Sequence, residues 1–362
     1  EWRDPARAAT PFQTGAFLGS WYETLGHEPD VKPAIVEVRA ADGRAAALWP
    51  LVCYRNHKQK LWEVGFADGE LTDNCVPLTG EGFAHDPNAF AALWRATMMA
   101  LPPADVLRFA KSPQEIGGSP NPMTSLSGAF ADPLSRHIVD MPGTFEEYSA
   151  SRTTKFSKEQ RRVWRVFTRN EGAAFEIQTD PSRALMLFAQ FETLQEARMR
   201  EIGVNYRLGA PAYREFSRRL IERGVADGSV VFGALTAGDE LVGGLIGLTN
   251  GRDVAFVRIC FAPGKWTASS PGRLVLEKTI EALHARGFRS VDLSVGDFPY
   301  KYDFGVRLEP LSGLLLPLSL RGRPTWARHA VRQRLKKSAW VRALRDRWAA
   351  RGKKAEIPNS AG

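Results

Sequence analysis

Residues 230–306 read VVFGALTAGDELVGGLIGLTNGRDVAFVRICFAPGKWTASSPGRLVLEKTIEALHARGFRSVDLSVGDFPYKYDFGV. Three apolar runs open this stretch: Val230–Leu235, Leu241–Thr249 and Val254–Phe261. Gly238-Asp239 and Asn250-Gly251 separate them, and because Gly and Asn tolerate positive φ these pairs predict hairpin turns between antiparallel strands. The irregular segment Ala262 to Pro271 then leads to a predicted helix over 273–286, with Leu276, Ile280 and Leu283 on one face. Gly287 stands where a helix C-cap belongs. Ser290–Val295 follows as a strand, and Gly313–Leu318 as another, which Pro317 is expected to confine to a sheet edge.

Upstream, Ala173–Thr179 alternates as a strand. Two helices are expected at 181–200, from Leu187, Phe191 and Leu194, and at 211–226, from Phe216 and Leu220. The order is β-α-α-β-β-β-α-β-β. The N-terminal half repeats part of it: a helix at Phe17–Leu25, strands at Ala34–Arg39, Ala46–Tyr54 and Leu61–Phe66, a helix at Pro87–Met99 and a strand at Val106–Ala110. Two degenerate copies of one α+β unit suit the length of 362 residues. Met141-Pro142-Gly143-Thr144 reads as the connector between them, followed by a basic helical segment over 151–169 whose charged face is expected to be solvated or to meet an anionic substrate. Ile116–Ser127 reads as a flexible loop. Lobes at 1–145 and 146–320 and a tail at 321–362 result.

Hydrophobic residues make up 44% and charged residues 25%, the balance of a water-soluble chain with material for real cores. No run approaches the roughly 18 apolar residues of a membrane helix, and Glu1-Trp2-Arg3-Asp4-Pro5 has no signal-peptide pattern. Cys53, Cys75 and Cys260 form neither a CxxC pair nor a disulfide framework, so a reducing cytoplasm is the expected compartment. The six histidines show no paired spacing, and no metal site is expected. The net charge is +9, yet 13 basic residues and one acid lie between Arg321 and Lys354. The body is therefore slightly acidic, and the pI of 9.6 does not mark it as a nucleic-acid binder.

Ser270-Pro271-Gly272-Arg273, a helix, Asp292-Leu293-Ser294-Val295-Gly296-Asp297 and Tyr300-Lys301-Tyr302-Asp303-Phe304-Gly305, in that order, resemble the GNAT-type N-acetyltransferases. Within that superfamily they look like the CelD/BcsL-type acetyltransferases, and they are similar to the FemABX-like proteins. The resemblance is densest over 240–306 and extends weakly over 10–320. It implies an α+β fold of tandem GNAT-like lobes with mixed, largely antiparallel sheets. It also implies an acetyl-CoA or other acyl-CoA co-substrate lying between two splayed parallel strands, here Val254–Phe261 and Ser290–Val295.

Backbone groups left unpaired on the first strand, at Ile259 among others, would meet the pantetheine amides. The pyrophosphate would sit at the start of the next helix, with Gly272 permitting close approach, Ser270 capping or donating, and Arg273 and Lys265 as cations. The family's usual loop carries two glycines where this one has one, and Ser-Pro-Gly has the alternative role of a plain helix cap. For catalysis, Asp292 and Asp297 are candidates to orient or deprotonate an acceptor, and Lys301 to stabilise an oxyanion. Tyr300 or Tyr302 is a candidate to protonate the leaving thiolate. Structural alternatives stand beside these: a Lys301–Asp303 surface ion pair, and Tyr302 and Phe304 as core.

Arg258, in an apolar strand, either lines the acceptor pocket or pairs with Asp292 or Glu240; Cys260 reads as core. Arg198, Arg200 and Asn205 are acceptor-side candidates or members of a solvated helix face. Asp73, in Asp73-Asn74-Cys75, touches the acceptor or shapes the interface between lobes. The expected function is acyl-CoA-dependent transfer, by direct attack in a ternary complex, to an amine or hydroxyl of a small-molecule or saccharide acceptor in polysaccharide or cell-envelope synthesis. A FemABX-like transferase using aminoacyl-tRNA and a non-catalytic scaffold are the alternatives. In the tail, Trp326, Val331, Leu335, Trp340, Leu344 and Trp348 interleave with basic residues over 324–351. That composition fits a helix on an anionic membrane surface, ahead of a helix docked on the body or a nucleic-acid patch, and makes the expected location cytoplasmic and peripheral to the membrane's inner face.

Overall fold

The computed structural model describes residues 9–337; Trp340, Leu344 and Trp348 of the expected tail helix lie outside them. The first lobe runs α1 (Gly15–Glu23), β1 (Val31–Pro33), β2 (Val36–Arg39), β3 (Ala45–Trp49), β4 (Leu51–Asn56), β5 (Leu61–Phe66), β6 (Leu78–Thr79), α2 (Pro87–Ala100), β7 (Val106–Pro113), β8 (Glu115–Ile116), β9 (Ser119–Pro120) and β10 (Ala129–Asp140). Then follow α3 (Phe145–Ser151), α4 (Thr154–Phe167), β11 (Ala173–Ile177), α5 (Pro181–Glu201), α6 (Pro211–Asp227), β12 (Val230–Ala237), β13 (Glu240–Thr249), β14 (Val254–Phe261), α7 (Pro271–Ala285), β15 (Ser290–Asp292), α8 (Pro299–Tyr302), β16 (Arg307–Pro317) and α9 (Arg323–Lys337).

The repeat is visible in the pairing. β4 and β5 are antiparallel, and β5 joins β7 in parallel after α2. In the second lobe β13 and β14 are antiparallel, and β14 joins β15 in parallel after α7. Asp86-Pro87 and Asp180-Pro181 start α2 and α5 alike: the carboxylate accepts from early backbone N–H groups and proline occupies a position whose N–H has no helical partner. Gly238 and Gly251 adopt φ of +59° and +87°, as their hairpins require.

The lobes share one eleven-stranded sheet in the order β1-β4-β5-β7-β16-β10-β15-β14-β13-β12-β11. At its centre the two units exchange strands. β10, which closes the first lobe, pairs with β15 of the second, while β16, which follows the second, pairs with β7 of the first. The expected edge strand 313–318 is thereby corrected: β16 is central. Pro317 is tolerated because it is the last residue of the strand, opposite Val106, and the next N–H, of Leu318, donates to Asp105 O at 2.9 Å.

β10 was not legible in sequence, because a register shift between Ala131 and Ser135, spanning Pro133, breaks its alternation. The segment 116–127 is ordered by local hydrogen bonding. Asn121 caps a 3-10 turn at Pro122–Ser125 and donates to Pro113 O at 2.8 Å, burying Ile116 and Met123.

The expected solvated helix holds in part. α4 exposes Lys155, Lys158, Arg161 and Arg165, while Phe156, Val163 and Phe167 are buried against the second lobe. Arg152, just ahead of α4, is instead buried. Its two terminal nitrogens reach Glu277 of α7 at 2.5 and 2.8 Å, and its guanidinium lies 4.6 Å from the Tyr148 ring. Removing one member of such a pair leaves a buried charge uncompensated. Arg152→Ala is expected to cost about 3–5 kcal/mol in urea unfolding. Arg162→Ala, at an exposed pair with Glu159 on the same helix, is expected to cost under about 0.5 kcal/mol. Equal losses would contradict the burial argument.

Candidate active site

β14 and β15 are in register at one pair only, Ala255 and Asp292. Past it Ser294 adopts a left-handed backbone, φ +65°, rare for a non-glycine residue, and the chain leaves the sheet while β14 runs on to Phe261. β15 is accordingly shorter than the expected 290–295. A cleft of about 310 Å³ opens between the parted strands, lined by Val257, Arg258 and Ile259 on one side, Leu293, Ser294 and Val295 on the other, and by Tyr300, Lys301 and Asp73.

Lys301 lies on the short helix α8 and is 2% exposed. Its Nζ donates to Ser294 O at 2.8 Å and to Val295 O at 2.9 Å. An ammonium has three N–H bonds, so one is left over. Burial pulls this ammonium down to about 8, against the opposing effect of Asp292, Asp73 and Asp297. The expected Lys301–Asp303 surface pair is therefore corrected: Asp303 pairs with Arg273 at 3.0 Å. Asp73, from the first lobe, faces the same cleft, and burial raises its carboxyl pKa. Tyr300 lines the cleft with its phenol raised by burial and its ring 6.2 Å from Phe298.

Other expected site residues have different employment. Asp292 is buried behind the cleft: it accepts from Arg136 Nε at 2.7 Å, Ser294 N at 2.8 Å and Asn74 Nδ2 at 3.5 Å, which makes it a positioning residue. Asp297 is exposed and accepts from Tyr302 at 2.8 Å; Tyr302 is 48% exposed, not core, whereas Phe304 is core as expected. Arg258 pairs with neither Asp292 nor Glu240. It meets Glu192 and Gln195 of α5, with Tyr206 at 2.6 Å, over the rings of Phe188 and Phe191.

Glu240 takes Lys265 Nζ at 3.0 Å and Trp266 Nε1 at 2.7 Å. The Ile259 carbonyl already accepts from Gln195 Nε2 at 3.0 Å, so it is not open to a ligand amide in this arrangement. Arg198 lies over the Phe261 ring at 4.5 Å, Arg200 pairs with Glu196 and Asn205 is exposed; none of the three lines the cleft.

The loop before α7 departs from a simple cap. Ser270 has φ +45° and makes no side-chain cap, so the first N–H groups of the helix carry no side-chain acceptor. At Gly272 an added Cβ would come within 2.7 Å of the Phe261 ring; the close approach requiring glycine is made by Phe261. An uncapped helix start suits an anion, and so the loop and the cleft fit an acyl-CoA in outline.

Beside the cleft lies a second cavity of about 130 Å³, sharing Asp73, Val257 and Arg258 with it and walled by Phe17, Phe188, Phe216 and Leu220. It shares Glu70 with a third cavity of about 490 Å³ in the first lobe. Glu192, Gln195, Tyr206 and Arg136 escaped sequence reasoning as members of the site, because the residues they meet there lie elsewhere in the chain and no local pattern marks them. Among the described residues no group of three or more His, Cys, Asp or Glu could hold a metal ion.

Residues 154–302 match the family model of the acetyltransferase (GNAT) domain. FemX is similar in fold at 10% identity and TM-score 0.64, over 90% of this chain and 96% of that one. The C-terminal domain of a candidate lysylphosphatidylglycerol synthetase from Agrobacterium fabrum is similar at 11% identity and TM-score 0.50, over 85% and 94% of the two chains. No curated protein matches the sequence. Residues 154–302 thus carry a GNAT acetyltransferase domain, set in a chain of two similar α+β lobes. The likeness to FemX is one of fold.

All three cysteines are buried and free. Burial raises the thiols of Cys53, Cys75 (to about 12) and Cys260. In the native protein none is expected to react with Ellman's reagent on the mixing timescale, and all three are expected to react in denaturant. A fast native thiol would contradict that burial.

Proposed function

We propose that the protein transfers an acyl group from acyl-CoA to an amine or hydroxyl by direct attack in a ternary complex. One observation carries this reading: a cleft between β14 and β15, which α7 also borders, is faced by two groups of opposite charge, buried Lys301 and half-buried Asp73. Bound acyl-CoA supplies an activated thioester carbonyl. The parted strands exclude water around it, and the α7 start receives negative charge. Asp73, its basicity raised by burial, takes the proton from the attacking nucleophile. Lys301 is held by two carbonyls, and its remaining N–H stabilises charge growing on the carbonyl oxygen. As the new bond to the acyl carbon forms, its C–S bond breaks, and the CoA thiolate leaves as a thiol with a proton from the Tyr300 phenol that lines the cleft. The neighbouring cavities, which share Glu70 and Asp73 as lining residues, favour an elongated acceptor reaching from the first lobe.

The exposed basic face of α4 supports a second reading, aminoacyl-tRNA as donor, because α4 packs on α7 and on the loop before it. Thermal shift separates the two. Acetyl-CoA at micromolar concentration is expected to raise Tm; no shift with acetyl-CoA together with salt-sensitive tRNA binding would favour the second.

In turnover, Lys301→Ala is expected to lower kcat by about 10²–10³ while sparing the acetyl-CoA thermal shift. Asp73 must be ionised and Lys301 protonated, so kcat/KM is expected to rise with pH through the elevated Asp73 pKa and to fall as Lys301 deprotonates near about 8. Asp73→Asn should abolish the rising limb; a limb that persists would remove Asp73 from the base role.

A further inference from the structure

We propose that the outer face of α9, with the neighbouring β4–β5 turn, lies on an anionic membrane surface. Among the described residues, α9 meets the body along one side. Thr325 Oγ1 donates to Gln59 Oε1 at 2.9 Å, the His329 ring lies 4.4 Å from Phe130, and Gln333 reaches His329 at 3.2 Å. On the helix, Thr325, His329, Ala330 and Gln333 are half-buried.

At about 100° per residue, the opposite side of the helix carries Pro324, Ala327, Val331 and Leu335, an apolar stripe. Arg323 and Arg334 border one margin, and Arg328 and Arg332 the other. Val331 is 56% exposed and Leu335 53%; Leu320, just ahead of the helix, is 73% exposed. Apolar side chains standing in water between arginines are what an interfacial helix presents: the stripe enters the headgroup–acyl boundary and the cations remain at the headgroups.

A second element extends the surface. Arg321 donates to Lys60 O at 3.1 Å, which sets the β4–β5 turn, with exposed Lys58 and Lys60, beside the start of α9. Residues 321–337 contain no acid. Anionic lipid attracts each such cation by about 1 kcal/mol near the surface.

Charge complementarity chooses this occupant over others. A second copy packed stripe to stripe would bring the arginine margins together, and a nucleic acid would leave Val331, Leu335 and Leu320 in water. Among the described residues no helix is long and apolar enough to cross a membrane, so the surface rests on the bilayer and does not span it.

The test is flotation of the full chain with vesicles of phosphatidylcholine alone or mixed with phosphatidylglycerol. Binding is expected to the mixed vesicles, and to weaken as salt rises. Val331→Glu/Leu335→Glu and Arg328→Glu/Arg332→Glu are each expected to lower partitioning at least about tenfold. Because these side chains are exposed, Tm should not move. Three results would overturn the proposal: variants that float like the parent, a dimer in sedimentation velocity that Val331→Glu dissolves, or RNA retention lost in the arginine variant while vesicles bind neither protein.

Discussion

The carboxylate of Asp292 pins the end of a strand, and the site depends on that pin. One oxygen accepts the N–H of Ser294 and the other accepts Arg136, which also reaches Glu309 of β16 at 2.9 Å. The strand therefore cannot continue beside β14. Held in a left-handed turn, Ser294 directs its carbonyl to two donors, His137 Nδ1 at 3.1 Å and Lys301 Nζ at 2.8 Å. Parting of the strands and placement of the lysine are consequences of one turn. An ammonium so enclosed loses solvation that the two carbonyls restore only in part, which is why its proton is held more loosely than in water.

The strand exchange at the centre of the sheet gives this pin its anchor. Arg136 and His137 belong to β10, which the chain builds with the first lobe but pairs with β15 of the second. Asp73 and Asn74 also come from the first lobe. The cleft is a joint construction, and the two lobes cannot rotate independently without breaking ladder hydrogen bonds on both sides of β10 and β16.

Charge is distributed unevenly around the cleft. Arg258, Arg273 and Lys265, three of the cations that sequence reading offered to a ligand, have carboxylate partners: Glu192, Asp303 and Glu240. The pair at Arg258 is largely enclosed and ties β14 to α5, whereas those at Arg273 and Lys265 are open to solvent and yield to a competing anion at small cost. Lys301 differs in kind, since its close partners are carbonyls and its charge is not neutralised by a contacting acid.

Helices α5, α6 and α7 and strands β12 to β14 were legible because 3.6-residue and two-residue apolar periods are local, and because hairpin glycines announce themselves. The Asp292–Lys301 segment, singled out by its resemblance, supplies Leu293, Ser294, Val295, Tyr300 and Lys301 to the lining of the cleft, whereas the Ser-Pro-Gly loop does not line it. What the sequence could not carry was partnership. Which strand neighbours β15, which acid takes Arg258, and that Asp73 lies across from Lys301 depend on residues 37 to 228 positions apart. Central placement of β16 likewise comes from pairing with β7 and β10, which overrides the edge preference of a terminal proline. Periodicity determined the elements; tertiary pairing, through buried hydrogen bonds that only the assembled sheet can satisfy, decided the site.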